Sequence, residues 1–329
     1  MKQDSWEIKP ESFAQTVELV ENYVRAEIVQ ETQNKHLYYH TLDHALAVKR
    51  RANIIFNSLR PILQSTQSQE ELQRLEGLVN LCAISHDMVQ QFVPPTAPNG
   101  PRRRIAGVSE QATIDKLIQR LHYVNQNLAN CEIEAHILFN DWDIKIIEDA
   151  IAATICDRDP LAGKVSYSFS PYSIYQPYLY NTQSKISVVG NVLALADLGT
   201  LGMEGIQPYL QEGILVFLED NLDLADLILN CDHACASNSP SLKTRLLNMA
   251  RFIVSLAQER RARLELEITS FTPKARQILK EQIFVYLNAE NIKKIEAIVP
   301  TSENTSLSEL IEFFCLNKNR NYTLSSKIE

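Results

Sequence analysis

Glycine is scarce in this chain, nine in 329 residues, and alternating strand-like runs are few. A β-rich fold is thereby disfavoured, and nearly every periodic stretch reads as helix. No apolar run approaches the roughly 18–20 residues that a membrane span needs. Acidic residues outnumber basic ones, 40 to 32, for a net charge of −8. Such a chain is not built for nonspecific nucleic-acid or membrane binding, which rests on neutralising phosphates. The six cysteines form no CxxC pair. Cys231 and Cys235 flank His233, but no second half of a zinc motif follows, so reduced thiols are expected. The polar, charged start, Met1 to Glu11, does not read as a secretory signal, and the expected location is the cytoplasm.

Histidine is also scarce, seven in all, yet four of the seven lie within the first 86 positions. His40 and His44 stand four apart, the spacing that puts two imidazoles on one face of a helical turn. His86-Asp87 ends the apolar run from Leu78 to Ile84, so an imidazole and a carboxylate sit at the end of a core helix. An isolated charge there costs on the order of several kcal/mol unless it is paired or bound to metal. Asp197 sits in a third such place, Leu195-Ala196-Asp197-Leu198, where the bland reading is a hydrogen-bonded structural carboxylate.

The helices can be placed by period and caps. Apolar residues at 13, 17, 20, 24 and 28 mark the first, and His40 to Leu59 the second. Ser68-x-x-Glu71 is a capping box that opens the third, towards His86-Asp87. Ser109 to Tyr123, Asp143 to Ile155 and Lys185 to Leu198 follow, the last so apolar that it must be buried. Two loops interrupt them: Val93 to Gly107, with Arg102-Arg103-Arg104, and Asp157 to Ser184, with five of the twelve tyrosines. After Ser237-Asn238-Ser239-Pro240 the chain restarts as helix from Leu242 to Leu266, continues from Ala275 to Ile298, and ends with Leu307 to Leu316. The expectation is all-α, a bundle domain over 1–238 and a helical C-terminal extension over 239–329.

The order His…His-Asp…Asp resembles that of the HD-domain metal-dependent phosphohydrolase superfamily. Tyr39-His40-Thr41-Leu42-Asp43-His44 is similar to the Tyr-His-Asn-x-x-His motif of its phosphodiesterase-like branch, with Thr41 in place of Asn. His86-Asp87 matches the namesake doublet, and Asn191 to Leu198 is similar to the helix that delivers the last ligand. The resemblance covers roughly residues 20 to 235. It implies an HD-type helical bundle in which His44, His86, Asp87 and Asp197 hold a divalent cation (Mn, Fe, Ni, Zn or Mg). One ion is expected, and two if Asp87 bridges. It further implies His40 as general acid for the leaving oxygen. Glu110 would be the acidic residue of the following helix, holding a water or His40. The branch carries another histidine near the end of the helix matching Asp143 to Ile155. Here Thr154 to Asp159 contains none, which leaves Asp157 or Asp159 to substitute.

Two imidazoles and two carboxylates suit such an ion, leave positions for water and a phosphoryl oxygen, and lower the pKa of that water. The expected activity is hydrolysis of a phosphate mono- or diester of a small molecule, a nucleotide being the foremost candidate. Arg103, Arg104 and Lys185 are candidates for substrate contact, against the bland reading of a solvated charge run. His36, His122 and His136 are expected to be structural or exposed. Two other readings stay open: a cyclic-nucleotide phosphodiesterase, and a metal-binding regulatory or scaffold protein whose catalysis has drifted and whose tail binds a partner. Self-association stays open too.

Overall fold

The fold was analysed on a computed structural model, which describes residues 9–94, 100–158, 174–180, 186–230 and 240–315. The protein is all-α. Its helices are α1 (Phe13–Lys35), α2 (Leu42–Leu63), α3 (Gln69–Ser85), α4 (Val108–Asn130), α5 (Asp141–Ala152), α6 (Val188–Asp197), α7 (Thr200–Glu204), α8 (Ile206–Asp220), α9 (Ala225–Asn230), α10 (Pro240–Glu267), α11 (Pro273–Ile278), α12 (Ala289–Ile298) and α13 (Leu307–Phe314). Among the described residues the only sheet is a two-residue ribbon, β1 (Asp157–Arg158) against antiparallel β2 (Ile174–Tyr175). None of the described helices is long and apolar enough to cross a membrane.

The apolar stripes predict the burial. On α1, Val17, Val20, Val24 and Ile28 are buried, and they face α3. The Ser68/Glu71 capping box forms and starts α3. Residues 189–197 of α6 are all buried, because α6 is enclosed by α2, α3 and α5. At α5 the cap is Asn140, with Asp143 closing a second capping box while it pairs with Arg74. Asp143 is therefore the third residue of that helix and not its cap.

Three elements depart from expectation. Helices α7, α8 and α9, in a stretch that had no assignment, carry the chain from 200 to 230. The expected helix from Ala275 to Ile298 is broken: α11 passes into a short π-helical turn, Leu279–Ile283, and the chain restarts at the Asn288 cap of α12. The break lets Phe284 drop into the core, 2% exposed. Cys315 is disulfide-bonded, in contrast to the free Cys82, Cys131 and Cys156. Cys231, His233 and Cys235 lie outside the described residues.

Residues beyond 239 share one hydrophobic cluster with those before it. Helix α10 packs on α8, and α11 packs on α2. Tyr209 on α8 donates its hydroxyl to the Ile253 carbonyl of α10 at 2.6 Å. Ser270 donates to Asn191 of α6 at 2.9 Å. At Gly202 the two parts meet most closely, since a Cβ there would lie 2.6 Å from a ring carbon of Phe284. Only hydrogen fits between α7 and that ring. Gly202→Ala is therefore expected to cost about 1–3 kcal/mol, the usual penalty of overpacking. Urea unfolding checks this, and an unchanged midpoint would contradict the contact.

Candidate metal centre

The centre is assembled at helix ends. His44 lies in the first turn of α2, His86 caps α3 with Asp87 directly after it, and Asp197 is the last residue of α6. The C-terminal ends of α3 and α6 thus point their partial negative charge at one spot, which favours a cation. One ligand atom from each of His44, His86, Asp87 and Asp197 falls within 4.8 Å of all the others. His44 Nε2 is 3.3 Å from Asp87 Oδ2 and 3.7 Å from Asp197 Oδ1. His86 Nε2 is 2.9 Å from Asp87 Oδ2 and 3.5 Å from Asp197 Oδ1.

The surrounding bonds aim these atoms. His86 Nδ1 lies 2.9 Å from the Ala83 carbonyl, so Nδ1 carries the proton donated there and Nε2 is turned into the cluster. Gln90 donates to Asp87 Oδ1 at 3.0 Å, and Gln176 donates to Asp197 Oδ2 at 3.1 Å. Each carboxylate is thereby held through one oxygen and presents the other to the imidazoles, the usual division of labour around a metal. The Nε2 atoms of His44 and His86 are buried and face only the Asp87 and Asp197 carboxylate oxygens, with no hydrogen bond of good geometry. Buried polar atoms without a partner are costly and call for an explanation. Two imidazole nitrogens and two carboxylate oxygens converging at this distance fit a divalent cation, and His44, His86, Asp87 and Asp197 are the residues that would hold it.

The electrostatics point the same way. Burial alone would lower the pKa of His86, but the adjacent Asp87 overcomes it and holds that imidazole well above its ordinary range. Burial would raise Asp87, while His86 and His40 pull it well below the usual carboxylate value. Protons thus compensate the buried carboxylates, a role that a dication takes over when it binds.

His40 is not on the helix. It precedes α2, in a turn whose backbone is gripped by a carboxylate 179 residues away: Glu219 Oε2 accepts from the N–H groups of Tyr38, Tyr39 and His40 at 3.1, 2.9 and 3.0 Å. Three successive N–H groups folded around an anion prevent those residues from joining the helix. Glu219 Oε1 accepts from His40 Nδ1 at 2.5 Å, and His40 Nε2 is left 3.7 Å from Asp87 Oδ2. Glu219, then, and not Glu110, holds His40. Arg104 closes the group, with Nη1 at 2.8 Å from His40 Nδ1 and 3.2 Å from Glu219 Oε1, and Nη2 at 3.0 Å from Asp220.

Sequence reading missed Glu219. Its only signal is an acidic pair, Glu219-Asp220, closing an amphipathic stretch. It missed Arg51 as well, a fully buried arginine on the apolar face of α2. Arg51 donates to the Ala196 carbonyl at 2.8 Å and Thr200 Oγ1 at 2.6 Å, fixing the end of α6 where Asp197 sits. That arginine was legible, since a cation at a stripe position between Val48 and Ile55 needs a buried partner.

The remaining candidates separate. Glu110, in the first turn of α4, reaches the cavity beside the cluster; its Oε2 is buried without a partner. Burial raises its pKa, and the charges of Asp87 and Asp197 add to this. Arg104 lines the cavity, but Arg103 is exposed and bridges Val93 through its backbone, so the charge run delivers one side chain only. Arg102 caps the carbonyls of Lys35 and Glu219. Asp157 is exposed on β1 and takes no part in the cluster, while Cys156 and Thr154 line the cavity near it. Asp159 and Lys185 lie outside the described residues. His36, His122 and His136 are exposed. Compared with family models, with curated proteins and with solved structures, the chain matches none.

Burial alone would raise the pKa of Glu219, but the His40 imidazole, Arg104 and the His40 N–H bring it from 4.5 to about 2. A carboxyl whose folded pKa is depressed adds stability above its unfolded pKa and loses it as pH falls towards the folded one. Glu219→Gln should therefore cost on the order of 3 kcal/mol at neutral pH. The difference from wild type should shrink between about pH 4.5 and 2. Denaturant unfolding across that range checks it, and a pH-independent difference would refute the assignment.

Proposed function

We propose that this chain is a metal-dependent phosphohydrolase of the HD type, acting on phosphate mono- or diesters of small molecules. The observation that carries the reading is the four-ligand cluster with His40 Nε2 set 3.7 Å from its Asp87 carboxylate. When bound, a divalent cation supplies an acidified water and neutralises charge on phosphoryl oxygens.

The chain's own groups do the rest. His40 is placed to protonate the departing alkoxide through Nε2. Its Nδ1–H stays donated to the ionised Glu219, which fixes the ring and stabilises the imidazolium, as in other histidine–carboxylate pairs. Arg104 is the guanidinium at the cavity wall, with Nη1 2.8 and 3.0 Å from the two ring nitrogens of His40, and would contribute positive charge toward an anionic ester. Glu219 and Asp220 hold its planar fork in one orientation. Gln90 and Gln176 keep the ligand carboxylates turned inward. Glu110 adds an acid of raised pKa at the same wall.

Elemental analysis and turnover of an aryl phosphate together test the reading. Asp87→Ala is expected to lose metal and activity at once. His40→Ala is expected to keep its metal and lose about 10²–10⁴ in rate, least for esters with good leaving groups. Full turnover of a poor-leaving-group ester by His40→Ala would remove the general-acid role. A wild-type protein that binds no divalent ion would remove the reading itself.

A further inference from the structure

The cavity that opens on the cluster has a volume of about 430 Å³, within the range of small-molecule sites of roughly 300–1,000 Å³. The phosphohydrolase reading uses only part of its wall. The rest comes from two facing helix stripes: Gly213 and Val216 on α8, and Met249, Phe252, Ile253 and Leu256 on α10. On each helix these positions recur at three and four residues, so each set forms one face. A Cβ on Gly213 would lie 2.9 Å from Ile253, so the glycine lets α8 and α10 approach closely at this point. Met249, Phe252 and Leu256 are half-buried although they belong to the interior of the fold, as wall residues of a cavity are.

This part of the wall offers little to a sugar or a base. The Tyr209 hydroxyl is donated to the Ile253 carbonyl, and Glu212 accepts from Thr200 and Arg51. Arg260, one turn beyond Leu256, is paired through Nη1 with Glu267, and its buried Nε has no partner. Across the whole cavity five carboxylates face two guanidiniums. Among the described residues Arg104 is the guanidinium beside the cluster and Arg260 is already paired with Glu267, so no second basic group is set out for a polyphosphate.

Building on the phosphohydrolase reading, we propose that the substrate is a monophosphate ester of an aliphatic alcohol. Its phosphate lies at the His/Asp cluster and its hydrocarbon between α8 and α10. The C-terminal segment is then the specificity element of the site.

The test is binding of non-hydrolysable n-alkylphosphonates, ethyl to octyl, to the full chain loaded with Mn²⁺, by calorimetry. The phosphonate of adenosine serves as the nucleotide probe. Each methylene is expected to tighten binding roughly fourfold until the cavity is full, the value of one buried CH₂. Octylphosphonate is expected to exceed the adenosine probe. Val216→Phe, which fills the apolar part, should narrow the octyl-to-ethyl ratio at least tenfold. A flat series with metal-dependent ethylphosphonate binding would overturn the aliphatic substrate and leave the phosphohydrolase reading standing. Preference for the adenosine probe would overturn it in favour of a nucleotide. Chain-length dependence that persists without metal would also overturn it, because the hydrocarbon would then bind apart from the cluster. A protein that takes up Mn²⁺ but no phosphonate of any length would sink both readings.

Discussion

Two carboxylates at the heart of a helical core are the constraint on which the rest of this structure depends. Asp87 and Asp197 stand at the ends of apolar helices, where an uncompensated negative charge is among the most costly groups a fold can hold. The imidazoles of His44 and His86 and the amides of Gln90 and Gln176 compensate them, while the negative ends of two helix dipoles add to the negative potential and so favour a cation there. A core built this way is less stable than an apolar one of equal volume unless a positive charge completes it.

A second buried anion, Glu219, organises the approach to the first pair. It takes three backbone N–H groups, an imidazole nitrogen and a guanidinium, and so converts the Tyr38–His40 segment from a helical turn into a fixed cradle. Arg104 could not sit against His40 without Glu219 and Asp220 to balance its charge. The site is thus two linked networks, one that could hold a cation and one that holds an imidazole. They meet at the short gap between His40 and Asp87.

The C-terminal helices complete this arrangement. Helix α8 brings Glu219 to the site with one end and lines the cavity with its face, and α10 supplies the opposite wall. The segment after residue 239 therefore bears on what the site admits, although it contributes none of the four ligands.

Much was legible beforehand. The grouping of His44, His86, Asp87 and Asp197 was suggested by the resemblance in motif order, whereas the apolar stripes of α1 and α2, the capping box at Ser68 and the burial of α6 follow from local periodicity. Those are short-range or compositional facts, which a linear chain displays. Helix α8 went unassigned. The break after α11 ran against expectation, and which arginine of the 102–104 run turns inward was not legible, because each depends on which surface packs where. Above all, the partnership of His40 with Glu219 joins residues 179 apart. No period or spacing encodes such a pair; only closing the chain into its tertiary fold brings that carboxylate under that turn. The sequence by itself determined the all-α class, most of the helices before residue 200 and the chemical kinds of the candidate ligands. The tertiary structure alone decided which acid holds the histidine and which helices wall the cavity, since long-range contacts set by packing carry no local signature.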